Sequence, residues 1–273
     1  MRLALVITTH ERPDALAAVL DSVTRQRIAP SEIVIADDGS GADTRDVTAE
    51  FIARSRVPAR VVSQEHKGFR AARLRNLGIA ATTADYILFI DGDMVLHPEF
   101  VGDHQAIARP GYYTQGVRVL TNAALTRELI AEPAIQPSFW SSGLGGLRRF
   151  YLLHSPTLAS MTRGLANKLI AIKSCNLAAW RDDLVRVNGF NEDFEGWGPE
   201  DKELCVRFDN AGVLRQSLLF GGIALHLHHA SQSRVALLAN RARLAEAIND
   251  RKIRCERGLD AHLSRAEGAQ NGN

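Results

Sequence analysis

From Leu3 to Asp93 the chain alternates four short apolar runs with three stretches of helical periodicity, and nothing else in the sequence limits the fold as strongly. The runs are Leu3 to Thr8, Glu32 to Asp37, Ala59 to Ser63 and Tyr86 to Ile90. Between them, Pro13 opens a helix through Thr24 with Leu16, Val19, Leu20 and Val23 on one side, and further helices are expected over Thr44 to Ala53 and Phe69 to Ala80. Strand and helix in strict alternation predict an α/β fold, with a mostly parallel central sheet flanked by helices. Ligands of such sheets gather beyond the carboxyl ends of the strands. Two of the four runs stop there at acidic turns, Asp37-Asp38-Gly39-Ser40-Gly41 and Asp91-Gly92-Asp93.

The second half is less regular. Tyr112 to Leu120 and Leu169 to Ala178 read as strands, and the connection from Pro133 to Gly164 is long enough to act as a loop or lid over a site. A helix is expected over Arg181 to Val187, and another from Pro199 through Leu204, Phe208 and Ala211 to a stop at Gly212. The apolar stretch from Val213 to Leu227 is split by Gly221-Gly222 and ends in His226-Leu227-His228-His229. Val235, Leu237, Leu238, Leu244 and Ile248 fit an amphipathic C-terminal helix, followed by a frayed tail. This divides the chain into a first part over 1–110, a second over 111–230, and a helix and tail over 231–273.

Composition narrows the function by exclusion. With 45% apolar residues and a formal net charge of +2, the chain of 273 residues can bury a sizeable core but lacks a general polyanion-binding character. No P-loop or nucleic-acid-reading motif is present, so no nucleic-acid partner is expected. Cys175, Cys205 and Cys255 form no CxxC pattern, which fits free thiols in a cytoplasmic protein. The apolar run Leu3 to Ile7 is far too short for a signal or spanning segment, and contact with a membrane is expected to be peripheral, at its inner face.

The acidic turns suit a metal-bound diphosphate. Asp91 and Asp93 point to one side if strand geometry persists through Gly92, and if the chain turns there, Gly92 lets both carboxylates approach one ion. Such hard oxygen donors match manganese or magnesium, and a strand end rich in imidazoles adds a nitrogen ligand acceptable to manganese, with His226 and His229 the better candidates. Asp38 lies farther into its loop than Asp37 and is the favoured contact for a base or ribose. Arg70 and Arg73 are one near-turn apart and can share a face toward phosphate. Glu200 and Asp201 fall in the first turn of a helix, where the dipole favours negative charge, and Trp197 is suited to lie against a sugar ring.

In order and spacing these features resemble an inverting glycosyltransferase of family two. The matching segments are Val6-Ile7-Thr8-Thr9, Ile35-Ala36-Asp37-Asp38-Gly39-Ser40, Gly68 to Asn76, Asp91-Gly92-Asp93, Gly196-Trp197-Gly198-Pro199-Glu200-Asp201 and His226-Leu227-His228-His229. The resemblance implies the GT-A nucleotide-diphospho-sugar transferase fold, with a C-terminal part similar to the β-1,4-galactosyltransferase and chondroitin-polymerase group. It places Thr8, Asp38, Arg70, Asp91, Gly92 and Asp93 about a UDP-sugar donor. Asp93 becomes the principal acidic ligand of Mn2+ or Mg2+, Asp91 a contact to the nucleotide sugar or metal-bound water, and His229 the distant ligand with His226 adjoining. It makes Asp201 the catalytic base, with Trp197, Gly198 and Glu200 positioning substrate. The expected reaction moves a hexose or N-acetylhexosamine to a glycan or lipid-linked glycan. The alternative is a metal-dependent nucleotide-sugar hydrolase or pyrophosphatase, which would use the same contacts with water as the acceptor.

Overall fold

A computed structural model of the protein describes residues 1–164, 172–230 and 233–263. In chain order its elements are β1 (Leu3–Thr9), α1 (Pro13–Thr24), β2 (Glu32–Asp37), α2 (Ala42–Arg54), β3 (Ala59–Ser63), α3 (Ala71–Ala80) and β4 (Tyr86–Asp91). There follow β5 (Met94–Leu96), α4 (Phe100–Ile107), β6 (Tyr112–Gly116), β7 (Arg118–Leu120), α5 (Ala123–Ala131), a 3-10 helix (Gly146–Leu152) and α6 (Pro156–Thr162). The last are β8 (Asn176–Trp180), α7 (Arg181–Arg186), α8 (Glu200–Asn210), β9 (Leu214–Leu218), β10 (Ala224–His226) and α9 (Leu237–Asn249).

Seven strands form the main sheet in the order β3-β2-β1-β4-β8-β6-β9. All neighbours pair parallel except β8, which runs antiparallel to both β4 and β6. The near-continuous apolar runs follow from burial on two faces. Leu3, Leu5, Ile7, Leu88 and Ile90 enter one core with α1, whereas Val6, Ile87 and Phe89 enter a second with α3 and α8. Odd and even positions thus go to opposite sides, as the period of two requires.

A second sheet, β5-β10-β7, leaves the main one just beyond β4. It explains why Tyr112 to Leu120 is not one strand: β6 pairs with β8 and β9, while β7 belongs to the small sheet beside β10. Of the expected strand Leu169 to Ala178, the described part enters β8 only from Asn176, and 165–171 lie outside the described residues. The segment from Pro133 to Gly164 holds the short helical pieces expected of so long a connection: Thr121 bridges to Leu144, and the 3-10 helix and α6 follow.

Two further expectations are corrected. The C-terminal helix α9 does not bury an apolar stripe: Val235 before it and Leu238 and Ile248 within it are exposed, while Asn240 and Ala247 are buried. Small residues let its backbone come close, and the buried Asn240 amide donates to the carbonyls of Glu195 and Trp197 at 3.0 and 3.3 Å. Pro199 is the residue before α8 rather than its first position, so Glu200 and Asp201 open the helix.

The two halves of the chain are joined on the α3 side by Asn76. Its amide donates to the Phe190 carbonyl and to Glu192 Oε1, each at 2.8 Å, and its Oδ1 accepts from the Phe190 amide at 2.8 Å. The turn it holds contains Gly189 at φ +64°, where a Cβ would sit 2.3 Å from Asn76 Oδ1 and 2.8 Å from Leu259 Cβ. Gly189→Ala therefore combines left-handed strain with a clash in a fully packed region, and should lower the unfolding free energy by about 2–4 kcal/mol. Urea denaturation reads this directly, and an unchanged midpoint would show that the turn relaxes freely.

Candidate active site

The carboxyl ends of β1, β2 and β4 are level. Thr8 is in register with Ala36 on one side and Asp91 on the other, and Thr9 with Asp37. Asp37 and Asp91 therefore flank the end of β1. Asp91 Oδ1 accepts from Thr8 Oγ1 at 3.0 Å and from Arg75 Nη2 at 3.2 Å. The Gly92 amide then donates to the Thr8 carbonyl at 2.7 Å, and a Cβ on Gly92 would stand 2.9 Å from Thr9 Oγ1. Glycine is required by this close approach.

The turn at Gly92 separates the two carboxylates. Asp91 faces α3, and Asp93 faces the small sheet, where the Leu227 amide donates to its carbonyl at 2.9 Å. Antiparallel pairing of β5 with β10 puts His226 opposite Met94, next to Asp93. His226 Nε2 lies 3.8 Å from Asp93 Oδ1, and His229 Nε2 lies 3.3 Å from Asp93 Oδ2. Ligand atoms of Asp93, His226 and His229 all fall within 4.8 Å of one another.

The titratable groups of this cluster are largely removed from water. Burial, and then the neighbouring Asp91, push the Asp93 carboxyl up to about 6, while burial and Arg118 push His226 down to about 4. Arg12 Nη1 meets Asp93 Oδ2 at 3.1 Å, yet Asp93 Oδ1 is buried with no hydrogen-bond partner. A neutral imidazole and an orphaned carboxylate oxygen are what a divalent ion needs, so the residues fit manganese or magnesium.

On the other side of Asp91, Arg75 is buried and reaches across with Nη1 to Glu200 Oε1 at 3.2 Å. Burial opposes its charge, but Asp91, Glu200 and Asp201 outweigh this and hold the guanidinium more firmly protonated than a free arginine. Glu200 is raised to about 7 by burial and then by Asp201. Burial also raises Asp201, opposed by Lys173 and Arg75, and its Oδ1 accepts from the Lys202 amide at 2.8 Å.

The Asp38 loop forms a third station. Asp38 is buried, its Oδ1 accepting from Gln64 Nε2 at 2.6 Å and its Oδ2 paired with His66 Nδ1 at 2.9 Å. The His66 ring stacks on His10 at 4.1 Å between centroids and 11° between planes, and His10 Nδ1 lies 3.0 Å from the Asp38 carbonyl.

The model described as glycosyl transferase family 2 matches residues 4–160, more than half of the chain, and the one described as the N-terminal domain of galactosyltransferase matches 162–230. The chain belongs to glycosyl transferase family 2. It has the GT-A fold of that inverting family and is related to the galactosyltransferase and chondroitin-synthase group. Validoxylamine A glucosyltransferase of Streptomyces hygroscopicus subsp. limoneus is 30% identical over 228 residues, which cover 77% of this chain and 48% of that protein. Chondroitin synthase of Escherichia coli is 27% identical over 243 residues, covering 82% of this chain and 34% of its own. The chain thus spans about half the length, or less, of these curated relatives. TarS of S. aureus shares the fold, with a TM-score of 0.65 over 98% of this chain and 42% of its own at 15% identity.

For a family 2 transferase, several residues lie elsewhere than the sequence suggested. Arg75 and Thr8 hold Asp91, and the ligand atoms grouped with Asp93 are those of His226 and His229. Arg70 and Arg73 do not form an anion-facing pair: Arg70 turns to the Glu65 carbonyl and Arg73 to Gln64 Oε1 at 2.6 Å. The arginine that joins the site is Arg75, which the same motif contained and helical spacing could not single out. Trp197 is half-buried under the Arg234 guanidinium at 5.2 Å, and Gly196 and Gly198 admit Ala236 and Asn240 next to α9, which is their packing role. His10, Gln64 and His66 were not foreseen; only their positions one loop beyond β1 and β3 marked them.

The cluster makes two predictions. Asp93→Asn and His226→Ala should each weaken the Mn2+-induced rise in thermal midpoint, by about tenfold or more in apparent affinity. Metal titrations indistinguishable from those of the parent would remove these ligands. Glu200 bears on pH: between its ordinary 4.5 and about 7 the folded state holds a proton that the unfolded chain has released, so its contribution to stability falls as pH rises through that window. Urea midpoints should fall between about pH 5 and about pH 7, and fall less in Glu200→Gln. Equal slopes would exclude Glu200 as the source.

Proposed function

We propose that the protein transfers a hexose or N-acetylhexosamine from a UDP-sugar to a hydroxyl of a glycan or lipid-linked glycan, with inversion at the anomeric carbon. One observation carries the reading: Arg75 ties the DxD turn to Glu200 beside Asp201, so that a diphosphate-binding edge and a buried carboxylate pair form one site. The names of the relatives, a glucosyltransferase and a chondroitin synthase, agree with a sugar donor and a sugar-like acceptor. The three buried free cysteines agree with work in the cytoplasm.

The base pocket is assigned to His10, Asp38, Gln64 and His66. A flat heterocycle can stack on an imidazole there and take hydrogen bonds from the polar groups around Asp38. Asp93, His226 and His229 would hold a divalent ion, Mn2+ or Mg2+, which when bound supplies positive charge against the leaving diphosphate. Arg118 sits close enough to lower both the His226 and the Asp93 carboxyl pKa, and so adds fixed positive charge on the same side.

Asp201 rather than Glu200 is the base in this reading. Glu200 is committed to Arg75, whereas Asp201 is held by backbone amides, and burial raises its affinity for a proton toward what base catalysis near neutrality requires. The acceptor oxygen bonds to the anomeric carbon as the bond to the diphosphate oxygen breaks. The hydroxyl proton passes to the Asp201 carboxylate, and UDP departs with the bonding pair. Attack opposite the leaving group inverts the centre.

A panel of UDP-sugars with manganese and glycan acceptors, read by mass spectrometry, tests the assignment. Glycoside of inverted configuration by NMR is expected, and Asp201→Asn should reduce transfer about 100-fold or more while UDP binding persists. Release of free sugar alone would favour a hydrolase, and parent-like transfer by Asp201→Asn would remove the base.

A further inference from the structure

The segment between α5 and α6 has two unlike faces. Its inner side is packed: Leu144 is buried, Tyr151 and Leu152 lie against the core that contains α1, and the Gly145 amide donates to the Leu120 carbonyl at 2.8 Å. Its outer side is apolar and open to solvent. Residues three apart eclipse one another on a 3-10 helix, and Leu147, Phe150 and the following Leu153 are 83%, 46% and 47% exposed. Phe150 continues into Phe139 at 4.9 Å between ring centroids, and Phe139 into Trp140 at 4.8 Å. Trp140 is itself 84% exposed.

The charge on this segment has one sign. From Pro133 to Gly164 the sequence contains no Asp or Glu, in a chain that carries 31 of them, while Arg148, Arg149 and Arg163 all fall within it. Arg148 and Arg163 are exposed, and Arg149 lies over the Phe139 ring at 5.9 Å. The acid that meets the segment, Asp103 of α4, is turned inward onto His154 Nε2 at 3.0 Å and the Gly222 amide at 2.8 Å. A neutral carbohydrate surface has no need of both properties at once. A bilayer interface with anionic headgroups does: indole and aliphatic side chains enter the headgroup boundary while arginines stay at the phosphates. Among the described residues no helix is long and apolar enough to cross a membrane, so the contact would be in the plane of the surface.

We infer that Trp140, Leu147, Phe150 and Leu153, with Arg148, form a docking surface for an anionic lipid bilayer. This does not depend on which sugar is transferred, and it accounts for how a chain of this kind would meet a lipid-linked acceptor.

Flotation of the full chain with vesicles of phosphatidylcholine alone, or containing about 30% phosphatidylglycerol, tests it. Binding to the anionic vesicles is expected, weakened by salt, with partitioning about tenfold lower for Trp140→Ser combined with Leu147→Ser and severalfold lower for Arg148→Glu. All three positions are exposed, and circular dichroism checks that the variants remain folded. Equal partitioning of parent and double variant overturns the inference, as does absence of binding to anionic vesicles. If the parent self-associates in sedimentation and the double variant does not, the face joins copies of the chain and the bilayer reading fails. Loss of transfer to a water-soluble acceptor with vesicle binding intact would likewise make it an acceptor platform. Failure of the flotation test leaves the transfer assay untouched, so the two readings fall separately.

Discussion

A single buried guanidinium holds the two ends of the site at a fixed distance. Arg75 lies in α3, and its two terminal nitrogens reach Asp91 at the end of β4 and Glu200 at the head of α8, both at 3.2 Å. Those acids are far apart in sequence and belong to different halves of the chain. Desolvating one arginine and its carboxylates is expensive, and removing any one partner from such a buried group costs about 3–5 kcal/mol, because the others are left uncompensated. Arginine is needed for this because its planar fork addresses two carboxylates at once, which the point charge of lysine does not. The head of α8 and the end of β4 therefore stand at one fixed separation.

The second constraint comes from the small sheet. Once Asp91 is fixed to Thr8 and Arg75, the chain must turn at Gly92, and the only backbone room beside Thr9 Oγ1 is room for a residue without a Cβ. The turn delivers Asp93 to β5, whose partner β10 ends at His226. The imidazoles are thus brought to the carboxylate by strand pairing rather than by local sequence, and no helix periodicity or motif spacing encodes it. Asp93 thereby gains His226 and His229 as neighbours.

This explains why the sequence was legible in some places and not in others. The four apolar runs and the helices between them could be read because parallel strands buried on both faces must be continuously apolar, and the acids at their ends could be read because strand ends are where such sheets bind. The choice among Arg70, Arg73 and Arg75 could not be read, since Arg73 and Arg75 lie on α3 and Arg70 immediately before it, and only the approach of α8 from beyond residue 190 selects Arg75. Tyr112 to Leu120 looked like one strand because β propensity does not register a change of sheet at Val117. In α9 the apolar periodicity was real but pointed outward, as the helix is seated instead by Asn240 on two carbonyls over Gly198.

The distribution of charge then assigns the roles that geometry alone leaves equal. Four carboxylates, Asp91, Asp93, Glu200 and Asp201, lie around this site, and Arg75 satisfies two of them directly. Asp93 has Arg12 at one oxygen and a buried, unpartnered second oxygen facing neutral imidazole, so its unmet demand is for a cation. Asp201 has backbone donors and raised proton affinity, so its unmet demand is for a proton. In the proposed reaction a divalent ion carried with the diphosphate would meet the first demand and the acceptor hydroxyl proton the second. Among the described residues imidazole nitrogens gather at Asp93 and not at Asp201, which in the proposed reaction keeps the metal with the first and the proton with the second.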